Sequence, residues 1–307
     1  MAASAPRISV IIPTYNDASL LRDALSRLAD QTLPPETYEI VVVDDGSTDT
    51  TPQVVRDAGR GPVRVRMVRF DANRGRSAAR NAGIRAAEAP LIAFVDSDIL
   101  VRREFLQHHL AMHEAAAKPV LGRGPVILIP TRTMPPRDPI ARMSPAYLDT
   151  ANASIQRQTL VEVGMFDEGF RVYGWEDFDL GLRLEAHGVR RVFDTGAVAY
   201  HVQPVPALDA LPRHLAKEEE RARTALYLLR KHPGRQTRWL IQDTRLHRAV
   251  HFVLGAGGLL TPRNAPRLAG WLQARGLYTL ANVVMRGVLN RHYLASLDRF
   301  RAIPEGG

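Results

Sequence analysis

The chain has 307 residues, enough for one large domain or two smaller ones. Hydrophobic residues make up 45% and charged residues 24%, which excludes wholesale disorder; the absence of cysteine excludes a disulfide scaffold, a thiolate nucleophile, a thiolate zinc site and an iron–sulfur cluster. The net charge of +9 is lopsided, because residues 1–204 carry 24 Lys/Arg against 25 Asp/Glu and residues 205–307 carry 17 against 7.

Residues 1–7 have no charged stretch followed by a long apolar one, so no signal peptide is read, and the lack of cysteine fits the cytosol. Residues 8–12 are apolar, rich in β-branched side chains and closed by Pro13, which predicts a buried strand. Leu20, Leu21, Leu25 and Leu28 predict a helix over 18–31. A second buried strand over 38–43 ends in Asp44-Asp45-Gly46-Ser47, and a short helix is expected over 48–57. Residues 63–70 alternate as a strand, 76–88 form an Ala-rich helix, and 91–95 form a strand ending in Asp96-Ser97-Asp98. A helix over 102–117 and a strand over 126–129 follow. The Pro- and Arg-rich stretch 131–145 reads as a mobile loop. Helices over 156–163 and 175–187 precede a strand over 198–202 that contains His201. Pro204, Pro206 and Pro212 mark a linker, and basic helices follow over 213–232, 236–254 and 265–300. Strands alternating with helices predict an α/β fold with a doubly wound, mostly parallel sheet, whose ligands bind beyond the carboxyl ends of the strands. The domains read as 1–204, nearly neutral, and 205–307, basic and helical.

Asp44/Asp45 and Asp96/Asp98 both follow strand ends. One such turn suits Asp as a plain turn former; two beside each other across a sheet make a site. If the Asp96-Ser97-Asp98 tip is extended, both carboxylates point the same way and face one cation, of the Mg²⁺ or Mn²⁺ type that leaves positions for substrate phosphates. The turn after the first strand reads Pro13-Thr14-Tyr15-Asn16, without a Gly-x-Gly-x-x-Gly, which argues against a dinucleotide site and a P-loop. A nucleotide here is held by side chains and metal.

With these motifs the sequence resembles a family 2 inverting glycosyltransferase of the GT-A fold. The matching residues are Ile8-Ser9-Val10-Ile11-Ile12-Pro13-Thr14-Tyr15-Asn16, Val41-Val42-Val43-Asp44-Asp45-Gly46-Ser47-Thr48-Asp49, Asn73-Arg74-Gly75, Ala79-Arg80-Asn81-Ala82-Gly83-Ile84 and Phe94-Val95-Asp96-Ser97-Asp98. Further on come Asn152-Ala153-Ser154-Ile155, Gly164-Met165-Phe166-Asp167-Glu168, Gly174-Trp175-Glu176-Asp177 and Tyr200-His201-Val202. The resemblance implies that Pro13, Tyr15 and Asp45 bind the nucleotide, with Asn73, Arg80 and Asp96 also on the donor. It implies Asp98 as the ligand of a Mn²⁺ or Mg²⁺ ion on the diphosphate, with Asp96 and His201 as further candidates. It points to Asp177 as the base and to Glu176 as the group that orients the acceptor. Three carboxylates fall within four residues near a helix start, where the macrodipole favours negative charge and would keep Asp177 ionised. Met165 stands where relatives commonly have Gly, and its bulk is expected to bear on acceptor choice.

In the last third the uncharged runs are short, 14 residues over 249–262 and 10 over 276–285, while a spanning helix needs ~20, so no transmembrane segment is expected. Arg at intervals with interspersed Trp and Tyr suits either a helix in an anionic membrane interface or a helical bundle packed on the catalytic domain. The expected activity is metal-dependent inverting transfer from a nucleotide-diphospho-sugar, with UDP-sugar the choice that Asp45 favours, to a glycan or lipid-linked saccharide. The expected location is the cytoplasm, peripherally on the inner face of the membrane. A sugar-nucleotidyltransferase is the chemical alternative, although Pro13–Asn16 lacks its Gly-rich first loop. A nucleic-acid-binding protein using the basic helices is the other, although no nucleic-acid motif occurs.

Overall fold

The computed structural model describes residues 5–136, 146–203 and 211–302. In chain order its strands are β1 (Ile8–Thr14), β2 (Tyr38–Asp44), β3 (Arg64–Arg69), β4 (Leu91–Phe94), β5 (Ile99–Val101), β6 (Val120–Arg123), β7 (Val126–Ile129), β8 (Ala153–Gln156), β9 (Arg190–Phe193) and β10 (Ala199–Val202). The helices among them are α1 (Ala18–Ala29), α2 (Thr51–Ala58), α3 (Arg76–Ala86), α4 (Phe105–Glu114), α5 (Arg157–Glu162) and α6 (Glu176–Ala186). Seven strands form one sheet in the order β3-β2-β1-β4-β8-β6-β9, and β5-β10-β7 form a smaller one.

β1 pairs in parallel with β2 and with β4, and β2 with β3, whereas β8 runs antiparallel to both β4 and β6. Chain order reverses between β1 and β4. At such a switch point the loops leaving the two strands part and open a crevice at the carboxyl edge. The loops after β1, β2 and β4 carry the motifs picked out above.

The buried strands are covered on both faces. Ile8, Val10 and Ile12 join one apolar cluster with Leu21, Leu25 and Leu28 of α1, while Ile11 joins another with Ile84 of α3 and Leu180 and Leu184 of α6. Glu39 of β2 is fully buried, and its carboxylate accepts from Ser9 Oγ (2.7 Å), Glu88 N (2.8 Å) and Arg66 Nη2 (2.7 Å), so it is paired rather than stranded.

Some of the strands after β4 depart from the sequence expectation. β5, β6, β8 and β9 are three or four residues long, too short for an alternation to register. β5 takes the residues ahead of α4, which starts at Phe105 rather than 102. β1 runs through Pro13 to Thr14 instead of stopping before it. Of the loop expected over 131–145, residues 137–145 lie outside the described residues, as do Pro204 and Pro206.

The chain separates into two compact units, Met1–Arg171 with Glu176–Pro204, and Val172–Trp175 with Val205–Gly307. The second unit contains α7 (Leu211–Lys231), α8 (Arg235–Leu240), α9 (Arg245–Leu254), α10 (Ala265–Gln273) and α11 (Tyr278–Ala302). Pro212 sits in the first turn of α7, where its missing N–H costs nothing. The helix expected over 236–254 is two helices, parted where Gln242 adopts φ 58°. The helix expected over 265–300 is likewise broken, at Gly276 with φ 74°. Within this unit Arg221 lies 4.2 Å from the Tyr293 ring and 5.6 Å from that of Trp175, whose Nε1 donates to Arg221 O. Among the described residues no helix is long and apolar enough to cross a membrane.

Candidate active site

Three loops at the carboxyl edge are laced together by side chains. Asn16 takes φ 52°; its N–H donates to Ser47 Oγ (2.9 Å) and its Oδ1 accepts from Thr48 N (2.8 Å). The two Asp45 carboxylate oxygens accept from Arg74 N (2.7 Å) and Gly75 N (3.0 Å). Gly46 has φ 80°, and a Cβ there would come 2.7 Å from Ala72 C, so the β2 turn and the 72–75 turn fit only because Gly46 has no side chain. Burial and the neighbouring Asp44 charge raise the Asp45 pKa overall, against the lowering effect of the two backbone hydrogen bonds and of Arg74. Tyr15 is 48% exposed beside this platform, and Asn73 is exposed on it.

Arg80 is the hub of a second layer. It is 1% exposed on α3, so it is not a helix-surface charge. Its Nη2 donates to Asp96 Oδ1 (3.0 Å), and its Nη1 donates to Glu176 Oε1 (3.2 Å) and lies 3.6 Å from Asp177 Oδ1. A buried guanidinium is tolerable only when paired. Burial works against its charge, but Asp177, Asp96 and Glu176 outweigh burial and hold it protonated. Around it, Asn81 clamps the Gly164–Glu168 motif: Nδ2 donates to Phe166 O and Oδ1 accepts from Phe166 N, both at 2.9 Å.

Asp177 sits in the first turn of α6. Its Oδ2 accepts from Thr150 Oγ1 (2.9 Å), while its buried Oδ1 has no hydrogen-bond donor. Burial pushes its pKa up; Arg80 opposes this, Glu176 and Asp96 add to it, and the result is about 7. The expectation that the helix terminus keeps it ionised is thereby corrected. A macrodipole contributes ~0.3–1 kcal/mol, less than burial beside other carboxylates takes away.

The Asp96-Ser97-Asp98 tip is a turn closed by Ile99 N donating to Asp96 O, not an extended segment, and its two carboxylates go to different partners. Asp96 turns to Arg80, which together with Arg76 holds its pKa low despite burial. Asp98 Oδ2 accepts from His201 Nε2 at 3.0 Å. Antiparallel pairing of His201 with Ile99 in the small sheet brings them together. Burial draws the His201 pKa down, but the bond to Asp98 and the charges of Asp98 and Asp96 raise it overall. Among the described residues no three His, Cys, Asp or Glu form a metal cluster. The oxygen of Asp98 beside the nitrogen of His201 still fits an ion such as Mg²⁺ or Mn²⁺ that draws its other ligands from diphosphate and water.

Residues 9–174 match the sequence model of glycosyl transferase family 2, more than half of the chain. The chain belongs to glycosyl transferase family 2. It is 37% identical over 223 residues to the validoxylamine A glucosyltransferase of Streptomyces hygroscopicus subsp. limoneus, covering 60% of this chain and 49% of that protein. The chain thus spans about half the length of that relative. It is 35% identical over 127 residues to the poly(ribitol-phosphate) beta-N-acetylglucosaminyltransferase TarS of Staphylococcus aureus, covering 38% and 22%. Among solved structures it resembles the mannosyltransferase PcManGT of Pyrobaculum calidifontis, in complex with GDP-Man and Mn²⁺, at 18% identity and TM-score 0.62 over 96% of this chain and 87% of that one. It also resembles residues 1–349 of TarS with UDP-GlcNAc, at 19% identity and TM-score 0.57 over 96% and 91%. At these identities the likeness is one of fold, and the fold is GT-A with C-terminal helices.

The family 2 match ends at residue 174, so Glu176, Asp177 and His201 lie beyond it. The structure brings Glu176, Asp177, Asp96 and Arg80 into one cluster and Asp98 and His201 into a pair. Pro13 lies inside β1, in register with Val43. Thr150 was missed, because its contact with Asp177 spans 27 residues and no local pattern announces it. Met165 takes φ 54° after Gly164 at φ 85°, and its N–H donates to Leu160 O to close α5. Its side chain packs on the Ile11 cluster. The backbone at Met165 is thus one natural to Gly, which is what relatives commonly have there.

Proposed function

We propose that this chain is a metal-dependent inverting glycosyltransferase that moves a sugar from a nucleotide-diphospho-sugar, with UDP as the carrier, to a hydroxyl of a glycan or lipid-linked saccharide. The observation that carries it is Asp177, a carboxylate with one buried oxygen that accepts no hydrogen bond and has only the Arg80 guanidinium at 3.6 Å, and with a pKa raised to about 7, at the carboxyl edge of a family 2 sheet. Such a group is half ionised near neutrality, where a general base works best. The donors named with the structural neighbours, GDP-Man and UDP-GlcNAc, are both nucleotide-diphospho-sugars.

Asp177 takes the proton of the acceptor hydroxyl as its oxygen attacks the anomeric carbon. The bond from that carbon to the diphosphate breaks, and its electron pair leaves on the β-phosphate oxygen. One displacement from the opposite face inverts the centre. Thr150 fixes the other Asp177 oxygen, and Glu176, oriented by Arg80, holds the acceptor. Tyr15 lies along the base, which Asp45 and the Asn73 turn receive. Asp98 and His201 would hold Mn²⁺ or Mg²⁺, which neutralises the charge developing on the diphosphate.

The test is a panel of nucleotide sugars with Mn²⁺ or Mg²⁺ and no acceptor. Release of UDP from one member supports the reading. Silence across the panel, or synthesis of a nucleotide sugar from a sugar 1-phosphate and a nucleoside triphosphate, overturns it.

A further inference from the structure

α9 is packed inside out. The side it turns to its own unit is polar: Arg248 donates to Asp298 (2.7 and 2.8 Å) and Asp243 (2.9 Å), and His251, 7% exposed, meets Gln242 Oε1 at 3.0 Å and Asn290 Nδ2 at 3.3 Å. Leu246, Val250 and Val253 recur at helical spacing on the opposite side and are 58%, 44% and 73% exposed. A helix stabilised only by its own unit buries the apolar side and solvates the polar one. α9 does the reverse, at a cost in exposed apolar area that a partner surface would recover.

Phe252 and Leu259, close by in the chain, are exposed as well, at 64% and 77%. Trp271, also exposed, carries the Arg275 guanidinium 3.8 Å from its ring centre. Arg245, Arg263 and Arg267 are exposed on the same stretch of chain. The region 205–307 has a surplus of ten positive charges, from 17 Lys/Arg against 7 Asp/Glu. Exposed aliphatic side chains in a row, with exposed Arg and Trp on the same stretch of chain, match the boundary between acyl chains and anionic headgroups. A nucleic acid would satisfy the arginines and leave the aliphatic row in water.

We propose that the outward face of α9, with the turn that follows it, inserts into the headgroup boundary of an anionic lipid bilayer and tethers the protein to it. The attraction has two parts that separate experimentally. The arginine part is screened within a Debye length, and the apolar part is not.

The test uses the full chain and flotation with vesicles of phosphatidylcholine alone or mixed with phosphatidylglycerol. The wild type should float with the mixed vesicles at low salt, at least tenfold less at molar salt, and little with phosphatidylcholine alone. Leu246→Ser/Val250→Ser/Val253→Ser, all exposed and so compatible with folding, should lower flotation at least tenfold. Arg245→Gln/Arg263→Gln/Arg267→Gln should lower it at low salt and leave the residual high-salt binding unchanged. A wild type that stays in solution with mixed vesicles at low salt overturns the proposal. So does a triple-serine variant that floats as the wild type does. A wild-type dimer in lipid-free sedimentation that the triple-serine variant abolishes would assign the face to self-association instead.

Discussion

Asp177 links the electrostatics of the site to two measurable quantities. The first is rate. Asp177→Asn keeps the shape and removes the proton acceptor, so transfer should fall ~10²–10⁴-fold with donor binding unchanged; near wild-type transfer would reassign the base. In the wild type kcat/KM should rise with pH through a midpoint near 7, because the base must lose its proton. The second quantity is stability. With a folded-state pKa of about 7 against 3.8 unfolded, the native protein holds a proton that the unfolded chain has shed between those values. Stability from this group therefore falls as pH rises from 4 to 7 and stays low above it. Asp177→Asn should melt close to the wild type at pH 4 and above it at pH 8; an Asn variant less stable at pH 8 would mean that pairing with Arg80 outweighs burial. Asp98→Ala addresses the other half of the site. It should abolish turnover and metal-dependent nucleotide binding while the circular dichroism of the fold persists, and activity undiminished in excess EDTA would count against the metal role.

At the scale of elements, α3 shows how a helix is placed by an absence. A Cβ on Gly83 would come 2.4 Å from Ile11 Cγ2 and 3.3 Å from Val43 Cγ2, so the helix lies directly on β1 and β2. That close approach carries Arg80, three residues earlier, down to the carboxylates. Gly83→Ala should gain ~1 kcal/mol of helix propensity but lose ~1–3 kcal/mol to overpacking against β-branched neighbours that cannot rotate away. Urea unfolding should show a net loss, and turnover should fall with it as Arg80 is lifted from its partners. A gain in midpoint would show that α3 can shift at no cost.

For the whole molecule, the proposed donor site is spread over loops after β1, β2 and β4 and the pair Asp98–His201, so ligation there would tie distant parts of the first unit together. A ligand at 100 times its Kd stabilises the native state by ~2.7 kcal/mol. For a unit of this size, at ~2–4 °C per kcal/mol, that is a rise of ~5–11 °C in Tm. UDP and Mn²⁺ together should give it, and each alone should give less, because Asp98 and His201 would hold the ion with further oxygens from the diphosphate. Equal shifts with and without the metal would argue against a shared site.

The alternation of buried strands and amphipathic helices from β1 to β4 was readable without a structure, and so were the chemical residue types at their carboxyl ends. Both are local: a two- or 3.6-residue period and a turn of Asp and Gly each fit within a dozen residues. Only the tertiary structure decided what depends on distant partners. Arg80 and Glu176 are 96 residues apart, and Asp98 and His201 are 103 apart. The same holds for the short strands β5, β6, β8 and β9, which exist because neighbours complete their hydrogen bonding. It also holds for the carboxylate pair of Asp96 and Asp98, which a turn and two different partners, Arg80 and His201, split, and for the pKa of Asp177, which burial sets against the helix terminus. The charge of the last third was legible as a sum. Which side of α9 faces outward was not, because helical periodicity gives two opposite faces and only packing chooses which one is covered.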